Sequence, residues 1–273
     1  MIFYLLCLVC VIVATSVENL HNADNYVANE KQEERISGGK ITNDFSNMFQ
    51  VQIVSNGDQF CSGAIISQDY ILTAAHCVEN TKPDDVFVRA KTRRLNEGGF
   101  IIEIDEIVIH PEYDYPQNNN DIAYMKTAEP IRFDLLFVPA RFDTPDTEFP
   151  DVITVFGYGR QENGEAFSEE LRSVNLTVIH NMRCQVIYPE VGITKNMFCA
   201  ENTRDGGQGA CKGDGGGPAT RKNRRGLDVL VGISSFTRGC GASMGPSVFT
   251  NLRAREIREF ISNGTGVDPR IYA

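Results

Sequence analysis

Residues 211–220 read CKGDGGGPAT. A single acid stands in a run of glycines between a cysteine and a proline, and the reading of this stretch beside three others decides the fold. From Ile36 onward the chain around it consists of short runs rich in Val, Ile, Phe and Thr, punctuated by Gly, Asn, Asp and Pro. FQVQIVS, CSGAIIS, VFVRAKT, FIIEIDEIVI, DVITVFGYG, LDVLVGISSF and PSVFTNL are such runs, and their spacing is that of an all-β protein. Only NLRAREIREFISNG near the end reads as a long helix. Leu252, Ile257, Phe260 and Ile261 share one face there, and Asn263-Gly264 supplies the stop. Strands followed by one terminal helix imply barrels or a sandwich.

Met1 to Ala14 is an apolar run of signal-peptide length followed by small residues, with cleavage expected after Ser16. It is too short to span a bilayer; an uncleaved anchor is the alternative, supported only by the lack of Lys or Arg ahead of the run. Residues 17–35 are polar, charged and free of cysteine, and read as a pro-segment or a flexible arm. The mature protein is therefore expected to be secreted, extracellular and unattached to membrane.

Cys7 and Cys10 leave with the signal, so six of the eight cysteines remain: Cys61, Cys77, Cys184, Cys199, Cys211 and Cys240. An even number in a secreted chain argues for disulfides. The mature chain has no Cys-x-x-Cys or His-x-x-x-His pair, so neither metal nor cofactor is expected. A net charge of −10 disfavours general nucleic-acid binding. Two basic clusters, RAKTRR at 89–94 and RKNRR at 221–225, stand against this acidic background. Solvated loops are their plainer reading, and an acidic partner is the other. Asn175 in NLT and Asn263 in NGT are glycosylation sequons.

Four segments in order, RISGG at 35–39, LTAAHC at 72–77, NNDIAYMK at 119–126 and CKGDGGGP at 211–218, carry a family resemblance. They resemble the activation, histidine, aspartate and nucleophile motifs of the chymotrypsin/trypsin-like serine protease family. The resemblance covers Ile36 to Asn263. It implies one domain, 36–273, built of two six-stranded antiparallel β-barrels at 36–140 and 141–250 with a C-terminal helix at 251–263. It further implies the bridges Cys61–Cys77, Cys184–Cys199 and Cys211–Cys240, each worth roughly 2–4 kcal/mol.

The family's chemistry needs a hydroxyl nucleophile, an imidazole to take its proton, a carboxylate to hold the imidazole's tautomer, and backbone donors for the oxyanion. By resemblance His76 matches the base, Asp121 the carboxylate, and Gly213 and Gly215 the oxyanion-hole positions. Gly215 also stands where the nucleophilic serine belongs, and glycine has no side chain. Ser235 matches a position that lines the site without attacking. The expectation from these residues is a chain that is not an enzyme, with His76 and Asp121 retained as a satisfied polar pair.

The specificity pocket departs from the family too. Gly209 takes the place of the aspartate that trypsins use for basic side chains, and Phe236 the place of a usual tryptophan, as does Tyr158. Thr237 and Ser247 stand where trypsins have glycines, so a narrowed pocket is expected. Altered specificity of the elastase kind is the alternative reading of those changes. At the N-terminal end, cleavage after Arg35 would free the Ile36 amine to pair with Asp214, as in the family's zymogens.

The combination is most similar to the inactivated paralogues of mite group 3 allergen proteases. That similarity implies a secreted homologue acting by binding protein partners, among them host-defence and complement components. Residual or unusual endopeptidase activity, with water attacking under His76 as base, and a decoy for protease inhibitors are the alternatives.

Overall fold

The structure, a computed structural model, describes residues 39–42, 47–144, 149–159, 166–202, 209–240 and 245–269. All lie in the unit Glu34–Ala273. The expected signal, the pro-segment and both activation residues, Arg35 and Ile36, fall outside the described residues.

A short strand β1 (Lys40–Ile41) precedes the first barrel, which is made by β2 (Gln50–Ser55), β3 (Asp58–Ile65), β4 (Tyr70–Thr73), β5 (Phe87–Ala90), β6 (Phe100–Ile109) and β7 (Ala123–Thr127). These close in the order β2-β3-β4-β7-β6-β5. Asn56-Gly57 turns β2 into β3 with both residues at positive φ, the two-residue hairpin turn whose twist suits paired strands. β6 shows how the sequence sets the wall. Ile102 and Ile104 face the core, while Ile101, Glu103 and Asp105 face water, the alternation of a half-buried strand.

The second barrel is a ring of β9 (Val152–Gly157), β10 (Arg172–Ile179), β11 (Met197–Glu201), β14 (Ser247–Asn251), β13 (Asp228–Phe236) and β12 (Pro218–Lys222), closed by pairing of β9 with β10. β8 (Arg141–Phe142) runs parallel to β13 on its outside. The architecture is thus two closed six-stranded antiparallel barrels, the second filled by Ile153, Val155, Leu176, Phe198, Val231 and Phe249. β1 is a difference from the expected division at residue 140. It pairs with β10, Lys40 opposite Ser173, and so belongs to the second barrel.

Among the described residues there are three α-helices, α1 (Ala75–Val78), α2 (Asn181–Ile187) and α3 (Arg255–Thr265), and one turn of 3-10 helix, Pro83–Asp85. Among the described residues no helix is long and apolar enough to cross a membrane. The terminal helix starts later and runs further than 251–263. At its front, Asn251 Oδ1 accepts from the Arg253 N–H at 3.0 Å and holds a turn. At its end Gly264 does not stop it; Gly266 does, at φ 70°. Gly264 answers a different need, because a Cβ there would lie 2.4 Å from the Tyr124 ring. α3 buries Ile257 and Ile261 completely, worth roughly 1.5–3 kcal/mol each.

The cluster that receives α3 also contains Leu72 and Ile122 of the first barrel and Leu230 and Ile233 of the second, so one core spans the seam. Polar ties cross there as well. Thr194 Oγ1 donates to Asn119 Oδ1 and Asn196 Nδ2 to Asn120 Oδ1, both at 2.7 Å. Thr250 Oγ1 of β14 donates to the Asp121 carbonyl at 2.7 Å, and the Ser62 N–H of β3 to the Gly215 carbonyl at 2.8 Å. These bonds fix the loops that carry the candidate site.

Candidate active site

His76 sits on α1, just after β4, with Ala75 and Cys77 on either side buried in the core. Its backbone N–H donates to Asp121 Oδ1 at 2.9 Å and its ring Nδ1 to Oδ2 at 2.8 Å. Asp121 is fully buried, and the Ser235 hydroxyl on β13 donates to the same Oδ2. A buried carboxylate with three donors around it is well satisfied, and it fixes the imidazole tautomer with Nε2 as the free ring nitrogen. Burial opposes protonation of His76. The hydrogen bond and charge of Asp121, aided by Glu79, outweigh it and raise the imidazole pKa above its ordinary value.

The glycine loop lies against this pair. A Cβ at Gly215 would stand 2.8 Å from His76 Nε2 and 3.6 Å from Cys61 Sγ. Gly216 adopts φ 77°, and a Cβ there would lie 2.2 Å from Thr73 Oγ1, so only glycine fits. Gly213, at φ 98°, has its carbonyl held by Gln59 Nε2 and Ser62 Oγ, each at 3.2 Å. Among the described residues neither the Gly213 nor the Gly215 N–H donates to a protein acceptor, which leaves both available for an oxyanion. Gln59 and Ser62 escaped sequence reasoning. Nothing in DQFCSG marks them, because their partner is 151 or more residues away.

Asp214 is fully buried beneath the loop. Its Oδ1 accepts from the Gly159 N–H at 2.7 Å and its Oδ2 from the Cys211 N–H at 2.9 Å. Burial nonetheless pushes its pKa up to about 7, against the lowering effect of those two bonds.

The pocket residues fall on facing segments. Gly209 is buried, and its neighbour Ala210 donates its N–H to Ser247 Oγ at 3.2 Å. Thr237 Oγ1 turns to the Gly239 carbonyl at 2.9 Å, beside the bridge Cys211–Cys240. Phe236 meets the Tyr188 ring edge-on at 5.6 Å, and the Arg238 guanidinium lies over the Tyr188 ring at 4.9 Å while pairing with Glu190. The Tyr188, Arg238 and Glu190 group was not visible in the sequence. Residues 241–244 of the expected pocket wall lie outside the described residues.

The other disulfides are Cys61–Cys77 and Cys184–Cys199. Cys61 Sγ, Cys77 Sγ and a ring nitrogen of His76 lie within 4.8 Å of one another, but the two sulfurs are bonded together and offer no thiolate ligand. Tyr158 is buried and donates its hydroxyl to the Thr92 carbonyl at 3.0 Å. Asn175 is exposed on β10 and Asn263 on the last turn of α3. Much of the basic clusters' charge is met locally: Lys91 pairs with Asp134, Arg94 with Glu97, Arg221 with Asp143 and Lys222 with Asp228.

Two closed barrels with a buried Asp–His pair at their seam and a glycine loop against the imidazole define the chymotrypsin-like serine protease class. A family model described as Trypsin matches residues 36–260, and the chain belongs to that family. It is 34% identical over 201 residues to Trypsin Blo t 3 of Blomia tropicalis, covering 71% of this chain and 73% of that one. It is 30% identical to the vitellin-degrading protease of Bombyx mori, with 83% and 84% covered. It is 31% identical to alkaline trypsin C of Manduca sexta, with 85% and 91% covered. Three disulfides in a chain of this family point to an oxidising, extracellular setting.

These relatives correct the expectation that the chain is not an enzyme. They are named trypsins and proteases, and the family points to proteolysis. The expectation leaned on the missing hydroxyl at residue 215 and on the altered pocket positions. Glycine at 215 removes one hydroxyl, whereas the imidazole and its orienting carboxylate remain in place beside that position.

Proposed function

We propose that this chain engages extended polypeptides at the seam between its barrels, and that peptide-bond hydrolysis there runs by direct attack of water with His76 as general base. The observation that carries this reading is the place of residue 215, whose Cβ would stand 2.8 Å from His76 Nε2. The free ring nitrogen faces a point where no hydroxyl can form an acyl-enzyme.

Asp121 holds the Nδ1 proton, so the Nε2 lone pair is directed to the cleft. A water at that point gives its proton to Nε2 as its oxygen bonds to the carbonyl carbon, and Asp121 stabilises the imidazolium. Charge developing on the carbonyl oxygen is met by the Gly213 and Gly215 N–H groups. The imidazolium returns its proton to the departing amine. Loss of the serine in another protease scaffold lowers turnover by a factor on the order of 10⁶, with roughly 10³–10⁴ over water remaining from binding and the oxyanion hole. Slow turnover is therefore the signature of this chemistry, and occupancy by the bound polypeptide outlasts it. We assign the partner class as protein; the resemblance to mite group 3 proteases puts host-defence and complement components first among those to assay.

The test compares the Arg35-processed chain with Gly215→Ser and His76→Ala on a peptide library, with binding of the same peptides measured in parallel. Turnover in the serine variant should exceed that of the unmodified chain by several orders of magnitude. His76→Ala should abolish turnover while peptides still bind. Turnover that survives His76→Ala would remove the imidazole from the mechanism, and absence of both turnover and peptide binding would sink the reading as a whole.

A further inference from the structure

Among the described residues, the groups nearest the space beside residue 215 are His76 and a sulfur. A Cβ there would touch Cys61 Sγ at 3.6 Å, an ordinary van der Waals contact that glycine does not make; Cys61 and Cys77 are 5% and 7% exposed. Gly215 itself is half-buried, so solvent reaches the space. The other sulfur of the bridge, Cys77 Sγ, lies 3.5 Å from His76 Nε2. A largely buried sulfur next to the space at residue 215, its bonded partner and a proton carrier thus share one small site, and the proteolytic reading uses only the last of them.

We propose that the Cys61–Cys77 bridge is a thiol-exchange site, opened by glycine at 215 and served by His76. The substrate class is a small thiol of the glutathione type. His76 Nε2 takes the proton of the incoming thiol, whose thiolate attacks Cys61 Sγ from the residue 215 side. A new sulfur–sulfur bond forms to Cys61 as the Cys61–Cys77 bond breaks, and the electron pair leaves on Cys77 Sγ. The imidazolium, 3.5 Å away, then protonates that thiolate. The products are a mixed disulfide on Cys61 and a thiol on Cys77, with no further reactant needed. The Asp121 carboxylate that raises the His76 pKa also favours the imidazolium formed when the ring takes the thiol's proton. The remaining bridges provide internal comparisons. Cys184–Cys199 is fully buried. Cys211–Cys240, half-buried at Cys240, reports access without this site.

The inference stands on the bridge's surroundings and is independent of the polypeptide-binding reading. Its test exposes the oxidised chain to glutathione, traps free thiols by alkylation at timed intervals, and assigns them to each cysteine by peptide mass mapping. Gly215→Ala and Gly215→Ser, which cover the sulfur, should slow exchange at Cys61–Cys77 by about tenfold or more while Cys211–Cys240 reacts as before. His76→Gln should slow the same bridge and flatten its pH dependence around neutrality. Equal rates at Cys61–Cys77 in the unmodified chain and in both 215 variants would overturn the proposal. An unchanged rate and pH profile in His76→Gln would remove the imidazole from it. Protection of Cys184–Cys199 throughout confirms that each variant is folded.

Discussion

Replacing Asp214 with asparagine should reverse its effect on stability between acid and alkaline pH. The carboxyl group is fully buried and its pKa rises from an ordinary 3.8 to about 7, with burial as the main cause. An acid with a raised folded pKa binds its proton more tightly in the native state than in the unfolded chain. Its contribution is complete below about 3.8 and is lost as pH climbs through about 7. The displacement corresponds to roughly 4 kcal/mol of stability lost across that window. Asparagine cannot titrate, so it removes the slope. It also sets an amide donor against one of the two N–H groups, of Gly159 or Cys211, that the carboxylate accepts. An unsatisfied buried donor costs about 1–3 kcal/mol at every pH. The variant should be less stable than the unmodified chain at pH 4 and more stable at pH 8. Urea unfolding followed by circular dichroism or tyrosine emission, the chain having no tryptophan, reads this directly. Parallel stability curves across the pH range would refute the reasoning. The pairing expected of a freed Ile36 amine adds a second limb: cutting after Arg35 should remove the same slope by holding Asp214 ionised.

Other perturbations give separate outcomes. Gly216→Ala should destabilise by more than 3 kcal/mol or prevent folding, since its Cβ would meet Thr73 Oγ1 at 2.2 Å and the Ser62 carbonyl at 2.3 Å at a positive φ; a stable variant with the unmodified chain's urea midpoint would contradict that contact. His76 has a raised pKa, so its stabilising pairing with Asp121 is complete below about 6.5 and is lost as pH rises through its higher folded value. Histidine-resolved NMR titration should show the His76 inflection above that of a free imidazole, and Ser235→Ala, which takes a donor from Asp121 Oδ2, should raise it further. An inflection at or below the free value would show that burial outweighs the carboxylate.

The parts of this protein legible in its sequence are those whose cause is local. The apolar run Phe100–Ile109 marks a strand in its own residues, and the strand has those bounds. Residues around His76, Asp121 and Gly215 carry type and spacing together, so the family could be recognised from short segments. The sequence also made the missing hydroxyl plain, because side-chain identity needs no fold. It misled where a residue has two possible reasons. Gly264 looked like a helix stop and is instead a close approach to Tyr124, with Gly266 ending the helix. Lys40–Ile41 looked like the start of the first barrel and pairs in the second, since hydrogen-bonded partners are chosen by register across the chain. Only the tertiary structure brought Gln59 and Ser62 to the Gly213 carbonyl, Thr194 to Asn119, and the buried Asp214 carboxylate beneath the loop. It alone set His76 Nε2 and Cys61 Sγ beside residue 215. The sequence determined which chemical groups exist. Distances between groups far apart in the chain follow from how two barrels close and pack, and those distances decide what the groups can do.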